Sequence, residues 1–297
     1  MSSKQLVLLG AQGQLGKTLQ QHWQDVALHE QWQVTAFGRD AVDISSPRSI
    51  AAGLAGIQAD WVINAAAYTQ VDKAEQEQNQ AFGINGQGAG NIAEWVARQG
   101  GRLLQLSTDF VFSGSSKQAY MPEAETDPLS VYGASKLQGE QAVRRILGDR
   151  ALVLRTSWLY SPYGTNFVRT MLRLMSEKDQ LRVVSDQIGT PTATTSLAVL
   201  ITRIIETAVG GIFHWSDAGV ASWYEFAVAI QEEALDLGLL QRAVPITPIS
   251  TAEYPTAARR PAFSVLDKTS TCQQFDCNPS HWRTQLRLVL QSLRTVH

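Results

Sequence analysis

Six short apolar runs recur along the chain: LVLL at 6–9, VTAF at 34–37, WVINA at 61–65, RLLQLS at 102–107, ALVLRTS at 151–157 and GIFHWS at 211–216. Runs that are apolar at nearly every position, rather than at every second one, suit strands covered on both faces, as in a parallel sheet flanked by helices. The stretches between them carry helical spacing. Ile84, Ile92, Trp95 and Val96 fall on one face of a helix over 84–98, and 131–147 is similarly amphipathic. Regular strand–helix alternation through the first half of the chain predicts an α/β fold built on a doubly wound parallel sheet of Rossmann type. After about residue 158 the alternation stops and proline becomes denser, at Pro162, Pro191, Pro245, Pro248, Pro255 and Pro261. Residues 1–157 are therefore read as the Rossmann domain and 158–297 mainly as a smaller C-terminal lobe, with 196–216 returning to the sheet.

Composition narrows the class. Of 297 residues, 44% are hydrophobic and 18% charged, an ordinary globular balance. The net charge of −2 comes from 25 basic and 27 acidic residues with no long run of one sign, so the basic stripe that nucleic acid or an anionic membrane surface would need is missing. Cys272 and Cys277 match neither a CxxC redox pair nor a zinc spacing, and His22, His29, His214, His281 and His297 are scattered. Reduced thiols, no metal site and a cytoplasmic location are expected. The opening MSSKQLVLLG is too short in its apolar run for a secretory leader, and nothing approaches the ~20 apolar residues of a spanning helix.

Candidate chemistry begins where the first run ends, at Gly10-Ala11-Gln12-Gly13-Gln14-Leu15-Gly16, followed by the helical KTLQQHWQ. Glycines between a first strand and a helix let the backbone turn tightly and bring helix N-terminal amides against a pyrophosphate. The spacing is GxxGxxG, and its position gives it more weight than its pattern. The second run ends in Phe37-Gly38-Arg39-Asp40. Arg39 suits a ribose 2′-phosphate and Asp40 an unphosphorylated ribose, so NADPH is preferred with NADH left open.

Tyr132 and Lys136, at i and i+4, face the same side of the helix over 131–147. A phenol is a reluctant acid or base near neutrality, and a neighbouring ammonium is expected to lower its pKa. Upstream, Leu106-Ser107-Thr108-Asp109 puts the Thr108 hydroxyl at the C-terminal edge of a strand, where open α/β sheets bind ligands. Trp158 follows a strand ending RTS at the same edge, placed to pack against a hexose, whereas Arg169 and Arg173 read as a solvated helix face.

GxxGxxG, NAAAYTQVDKAE (64–75), STDFVFSG (107–114) and YGASK (132–136) together resemble the extended short-chain dehydrogenase/reductases. RTSWLYSPYGTNFVRTMLRL (155–174), DQIGTPT (186–192), SWYEFA (222–227) and RRPAFSVLD (259–267) narrow the resemblance to the dTDP-4-dehydrorhamnose reductase family. The resemblance implies NAD(P)H-dependent reduction of the 4-keto group of dTDP-4-dehydro-β-L-rhamnose to dTDP-L-rhamnose for cell-surface polysaccharide such as O-antigen. Position by position, it implies Tyr132 as proton donor to the C4 oxygen, Lys136 on the nicotinamide ribose, and Thr108 completing the catalytic set. It places Gly13, Gln14 and Leu15 at the pyrophosphate, Asp43 and Ile44 at the adenine, and Ala67, Tyr68 and Thr69 on the nicotinamide side. Thr108, Asp109 and Trp158 would contact the sugar nucleotide. Family members with a Mg²⁺-linked dimer carry an acidic residue just after the third glycine. Lys17-Thr18 stand there in this chain, which argues against Mg²⁺ and leaves homodimerisation open. Two rivals remain: a nucleotide-sugar epimerase or dehydratase, though Asp109 is followed by Phe110 rather than a second carboxylate, and a non-catalytic regulatory subunit like that of methionine adenosyltransferase.

Overall fold

The computed structural model describes residues 4–294; Met1–Ser3 of the opening segment and His297 of the scattered histidines lie outside the described residues. All six apolar runs are strands of one sheet: β1 Lys4–Leu9, β2 Trp32–Phe37, β3 Trp61–Asn64, β4 Arg102–Thr108, β5 Ala151–Thr156 and β6 Gly211–Trp215. Every pairing between them is parallel, in the order β6-β5-β4-β3-β1-β2.

The near-continuous apolarity of the strands follows from cover on both faces. In β1, Leu6 and Leu8 point into one core and Val7 and Leu9 into another. The first core is closed by α1 (Gln14–Asp25), the second by α2 (Ala89–Gln99) and α3 (Val131–Leu147). A third cluster, around Val168, Met171, Phe226, Ile230, Leu286 and Leu290, is built by α4 (Phe167–Glu177), α6 (Trp223–Asp236) and α7 (Trp282–Arg294). Between α4 and α6 in the chain, α5 (Thr194–Ile205) packs into the first core with Phe213 and Trp215 of β6, and Phe275 joins them from the helix Thr269–Phe275. The polypeptide thus crosses from the sheet to the third cluster and back more than once.

Two features of this topology position a site. The sheet grows to one side of β1 with β2 and to the other with β3, so the crevice above the C-terminal ends of β1 and β3 is a topological switch point. Register also aligns the strand ends: Leu9 lies opposite Asn64, and Thr108 opposite Thr156. Among the described residues, no helix is long and apolar enough to cross a membrane.

Candidate active site

The glycine turn sits at the switch point. Gly10 adopts φ +83°, and a Cβ there would lie 2.6 Å from the Ala66 amide nitrogen, so the first turn and the loop after β3 are in backbone contact. A side chain at Gly16 would run into the Gly10 carbonyl oxygen. No side chain caps α1 at Gly13, which leaves its first amides facing the crevice. Gly10 and Gly13 line a cleft of about 200 Å³ with Gly38, Arg39, Val42, Asp43, Ile44 and Ala65–Ala67. Arg39 is exposed on its rim. The Asp43 carboxylate is held by the Ser45 amide (2.9 Å) and hydroxyl (2.7 Å), and those hydrogen bonds keep its pKa low. The cleft is edged by glycines that let the backbone close up tightly, next to uncapped amides and the Arg39 guanidinium, which also acts on the Asp43 carboxylate, and this fits a dinucleotide phosphate backbone.

Tyr68 and Tyr132 join a small cluster with Ala74 and Ala81, to which Ile84 on the cleft lining also belongs. Asn85 holds the Tyr68 backbone on both sides, accepting from its amide (2.8 Å) and donating to its carbonyl (3.0 Å), and also donates to Ser135 Oγ (3.0 Å). It sits in a π-helical turn, Phe82–Gly88, that precedes α2. Thr69 is exposed on the same loop.

The Tyr132 helix is set by its first turn. Ser130 caps it through the Gly133 amide (3.2 Å), and Glu75 accepts the Val131 amide (2.9 Å). Gly133 lies so close to the Phe110 carbonyl that any side chain there would collide with it, and α3 is thereby drawn against the end of β4. Phe110 stands edge-on to the Tyr132 ring at 5.6 Å. The Thr108 hydroxyl donates to Asp109 Oδ1 (3.1 Å) and accepts the Phe110 amide (3.2 Å), and it lies close enough to the phenol to act on its pKa. Thr108, Asp109, Tyr132 and Lys136 therefore share one corner of the sheet edge.

Electrostatics there differ from the sequence expectation. Burial pushes the Tyr132 phenol up to about 12, Thr108 pulling it down and Asp109 raising it further. Lys136 does not offset this, because its buried Nζ donates to the Leu106 carbonyl at 2.6 Å. Burial brings Lys136 itself down to about 8, with Glu140 opposing the fall. Asp109 is pushed up to about 6, also chiefly by burial, and its Oδ2 has no hydrogen-bond partner among the described residues.

Trp158 lies across β5 from this corner, in the left-handed region at φ +47°, a conformation that costs a non-glycine residue roughly 1–2 kcal/mol. Its indole stacks on Trp223 at 3.5 Å and 7°, and a Cβ at Gly189 would come within 2.7 Å of it. Trp223 then meets Phe167 (4.7 Å) on the wall of an apolar cleft of about 410 Å³, with Arg182, Gln187 and Arg260 among its polar lining. Arg260 is tied to Asp72 at 2.7 Å, which joins this cleft to the segment after Tyr68. Gly189→Ala is expected to evict the Trp158 indole at a cost of about 1–3 kcal/mol. The exciton couplet of the stacked pair in circular dichroism should disappear while the helical signal stays, and an unchanged couplet would count against the tight fit.

Three residues that shape this region were not singled out from sequence. Glu140 continues the i+4 ladder of Tyr132 and Lys136, a spacing visible in the sequence. Trp223 lies within the SWYEFA block but carries no local sign of its partner. Asn85 gives no signal, because a π turn is invisible to a 3.6-residue period. Among the described residues there is no cluster of three or more metal-ligating side chains, and both cysteines are free.

A family model described as the RmlD substrate binding domain matches residues 4–295. A dTDP-4-dehydrorhamnose reductase from Aggregatibacter actinomycetemcomitans is 38% identical, over 95% of this chain and 97% of that protein. The spore coat polysaccharide biosynthesis protein SpsK of Bacillus subtilis (strain 168) is 39% identical over 96% of each. In three dimensions, the crystal structure of dTDP-4-dehydrorhamnose reductase from Bacillus anthracis in complex with NADP superposes with a TM-score of 0.91 at 35% identity, covering 98% of this chain and 100% of that one.

Proposed function

The chain belongs to the RmlD substrate-binding-domain family, and from that premise we propose that it reduces the 4-keto group of dTDP-4-dehydro-β-L-rhamnose to dTDP-L-rhamnose, using NADPH in preference to NADH. The observation that supports the reading is that Tyr132 and Lys136 stand one turn apart on α3, which Gly133 holds against the Phe110 carbonyl just past Thr108, with Lys136 Nζ donating to Leu106 of β4.

The nicotinamide, when bound, supplies the hydride. Everything else falls to the protein. Gly10, Gly13 and Gly16 let the first turn fold tightly against the loop after β3, and the amides of Gln14 and Leu15 meet the pyrophosphate. Asp43 and Ile44 border the adenine, Arg39 pairs with the 2′-phosphate, and Ala67, Tyr68 and Thr69 flank the nicotinamide. Lys136 holds the nicotinamide ribose. Hydride addition turns the ketone oxygen into an alkoxide, whose charge must be met by a hydrogen bond and a proton. A phenol with a pKa of about 12 is fully protonated at neutral pH, so Tyr132 has its proton ready to give, and the alkoxide is basic enough to take it. Thr108 donates to the same oxygen. Asp109 and Trp158 orient the hexose, and the lobe built mainly by residues 158–297, apart from the 196–216 stretch that returns to the sheet, takes the rest of the sugar nucleotide, with the thymidine end in the apolar cleft beside Trp223.

The test is a spectrophotometric assay of the purified protein with enzymatically made dTDP-4-dehydro-6-deoxy sugars and each reduced cofactor. Stoichiometric NADPH consumption supports a reductase, and cofactor recycled without net consumption supports an epimerase. In the same assay Arg39→Ala should raise the KM for NADPH about tenfold and leave that for NADH unchanged, the scale of one charge-assisted hydrogen bond. Equal effects on both cofactors would remove Arg39 from 2′-phosphate recognition.

A further inference from the structure

We infer that Glu140 is a positioning residue that sets a negative charge one helical turn from Lys136, and that Arg155 is there to aim that carboxylate. The inference rests on the reading that Lys136 serves the reduction. Tyr132, Lys136 and Glu140 occupy successive turns of one face of α3. Glu140 and Arg155 are each 2% exposed. Arg155 Nε donates to both carboxylate oxygens (3.0 and 3.2 Å), Nη2 donates to Oε2 (2.7 Å), and the Ser107 hydroxyl makes a short hydrogen bond to Oε1.

A buried, fully hydrogen-bonded pair of this kind is weak evidence for stability, since well-packed apolar residues of similar volume often serve as well. Its placement is more informative. The carboxylate lies one turn beyond an ammonium that burial drives toward its neutral form, and it opposes that drift. The other groups around it are accounted for. From β4 come Ser107, Thr108 and the Leu106 carbonyl, and from the turn after it Asp109. From β6, His214 lies 3.4 Å from Arg155; burial and then Arg155 push it down to about 3, so it is neutral at working pH, while Asp267 faces it from beyond. Glu75 acts at the far N-terminal end of α3, and Asn85 is uncharged. Glu140 is the carboxylate that opposes the fall at Lys136.

The test titrates Lys136 directly by NMR in the full-length protein carrying ¹³Cε-labelled lysine, with Lys136→Arg used to assign the signal. Neither cofactor nor substrate is needed. Glu140→Gln should lower the Lys136 titration by about one pH unit or more, and Arg155→Met should raise it, because the carboxylate then acts without its counter-charge. A merely structural pair would shift Lys136 the same way in both variants, or not at all, and either result overturns the inference. Should Glu140→Gln not fold, the uncharged double variant Glu140→Gln/Arg155→Met takes its place. It differs from Arg155→Met only at residue 140 and must titrate lower. In kinetics, the alkaline fall of kcat/KM should move to lower pH in Glu140→Gln. If Lys136→Met kept full reductase activity, the functional reading would fail while the titration result stood, so the two failures can be told apart.

Discussion

Tyr132→Phe is expected to lower kcat by about 10²–10⁴, or roughly 3–5 kcal/mol of transition-state stabilisation, while NADPH binding changes little. The substitution removes one hydroxyl and keeps the ring. The edge-on contact with Phe110 and the packing against Tyr68, Ala74 and Ala81 are therefore retained, and the Thr108 hydroxyl still lies within reach of Asp109. What is lost is the proton. Because the phenol titrates near 12, far above the assay range, no limb of the pH–rate profile should arise from it. The limb expected on the alkaline side belongs to Lys136, whose burial brings it down to about 8 in the cofactor-free protein, so activity should decline as pH rises through that value. Stopped-flow turnover with parallel NADPH fluorescence titration checks both halves. Wild-type turnover in Tyr132→Phe would take the phenol out of the mechanism.

How far the sequence reaches is clear from particular stretches. The six apolar runs became six adjacent parallel strands because residues buried on both faces must be apolar at every position, a constraint written directly in the amino acids. The helix read over 131–147 has those bounds in the structure, with Ser130 as cap at one end and Gly148 following Leu147 at the other. The segment read as one helix over 84–98 is in fact a π turn running into α2, and Ile84 packs between two clusters instead of with Ile92, Trp95 and Val96 alone. A one-residue insertion in a helix shifts the phase of its apolar face, and a periodic pattern cannot report that. Charge environments were harder still. The i+4 spacing of Tyr132 and Lys136 promised a lowered phenol pKa, but spacing says nothing of burial, nor of the Leu106 carbonyl that takes the ammonium. The stacking of Trp158 on Trp223 joins residues from distant parts of the chain, and the place of the indole depends on the missing side chain at Gly189, which only the folded packing reveals.

Asp109→Asn should separate stability from function. In the folded protein burial, first of all, pushes the Asp109 carboxyl up to about 6, well above the usual aspartate range. The folded state thus holds the proton more tightly than the unfolded chain. Any stability from the protonated form is fully present below about pH 4 and is lost as pH rises through about 6, where the buried group must ionise. The full span of that loss is at most about 3 kcal/mol. An amide does not titrate, so the stability difference between Asp109→Asn and the parent should widen with pH from 4 to 8. At pH 8 the variant should be the more stable by about 1–2 kcal/mol, the smaller figure reflecting an amide donor set down where Oδ2 had no partner. Urea unfolding at several pH values measures this, and a difference that stays flat with pH would mean that Asp109 does not titrate in the fold. Activity should move the other way, with kcat/KM for the sugar nucleotide falling about 10–100-fold as a charged acceptor is lost. A carboxylate kept buried and incompletely paired at the cost of stability, directly beside the proposed proton donor, is the pattern expected of a group retained for its ligand.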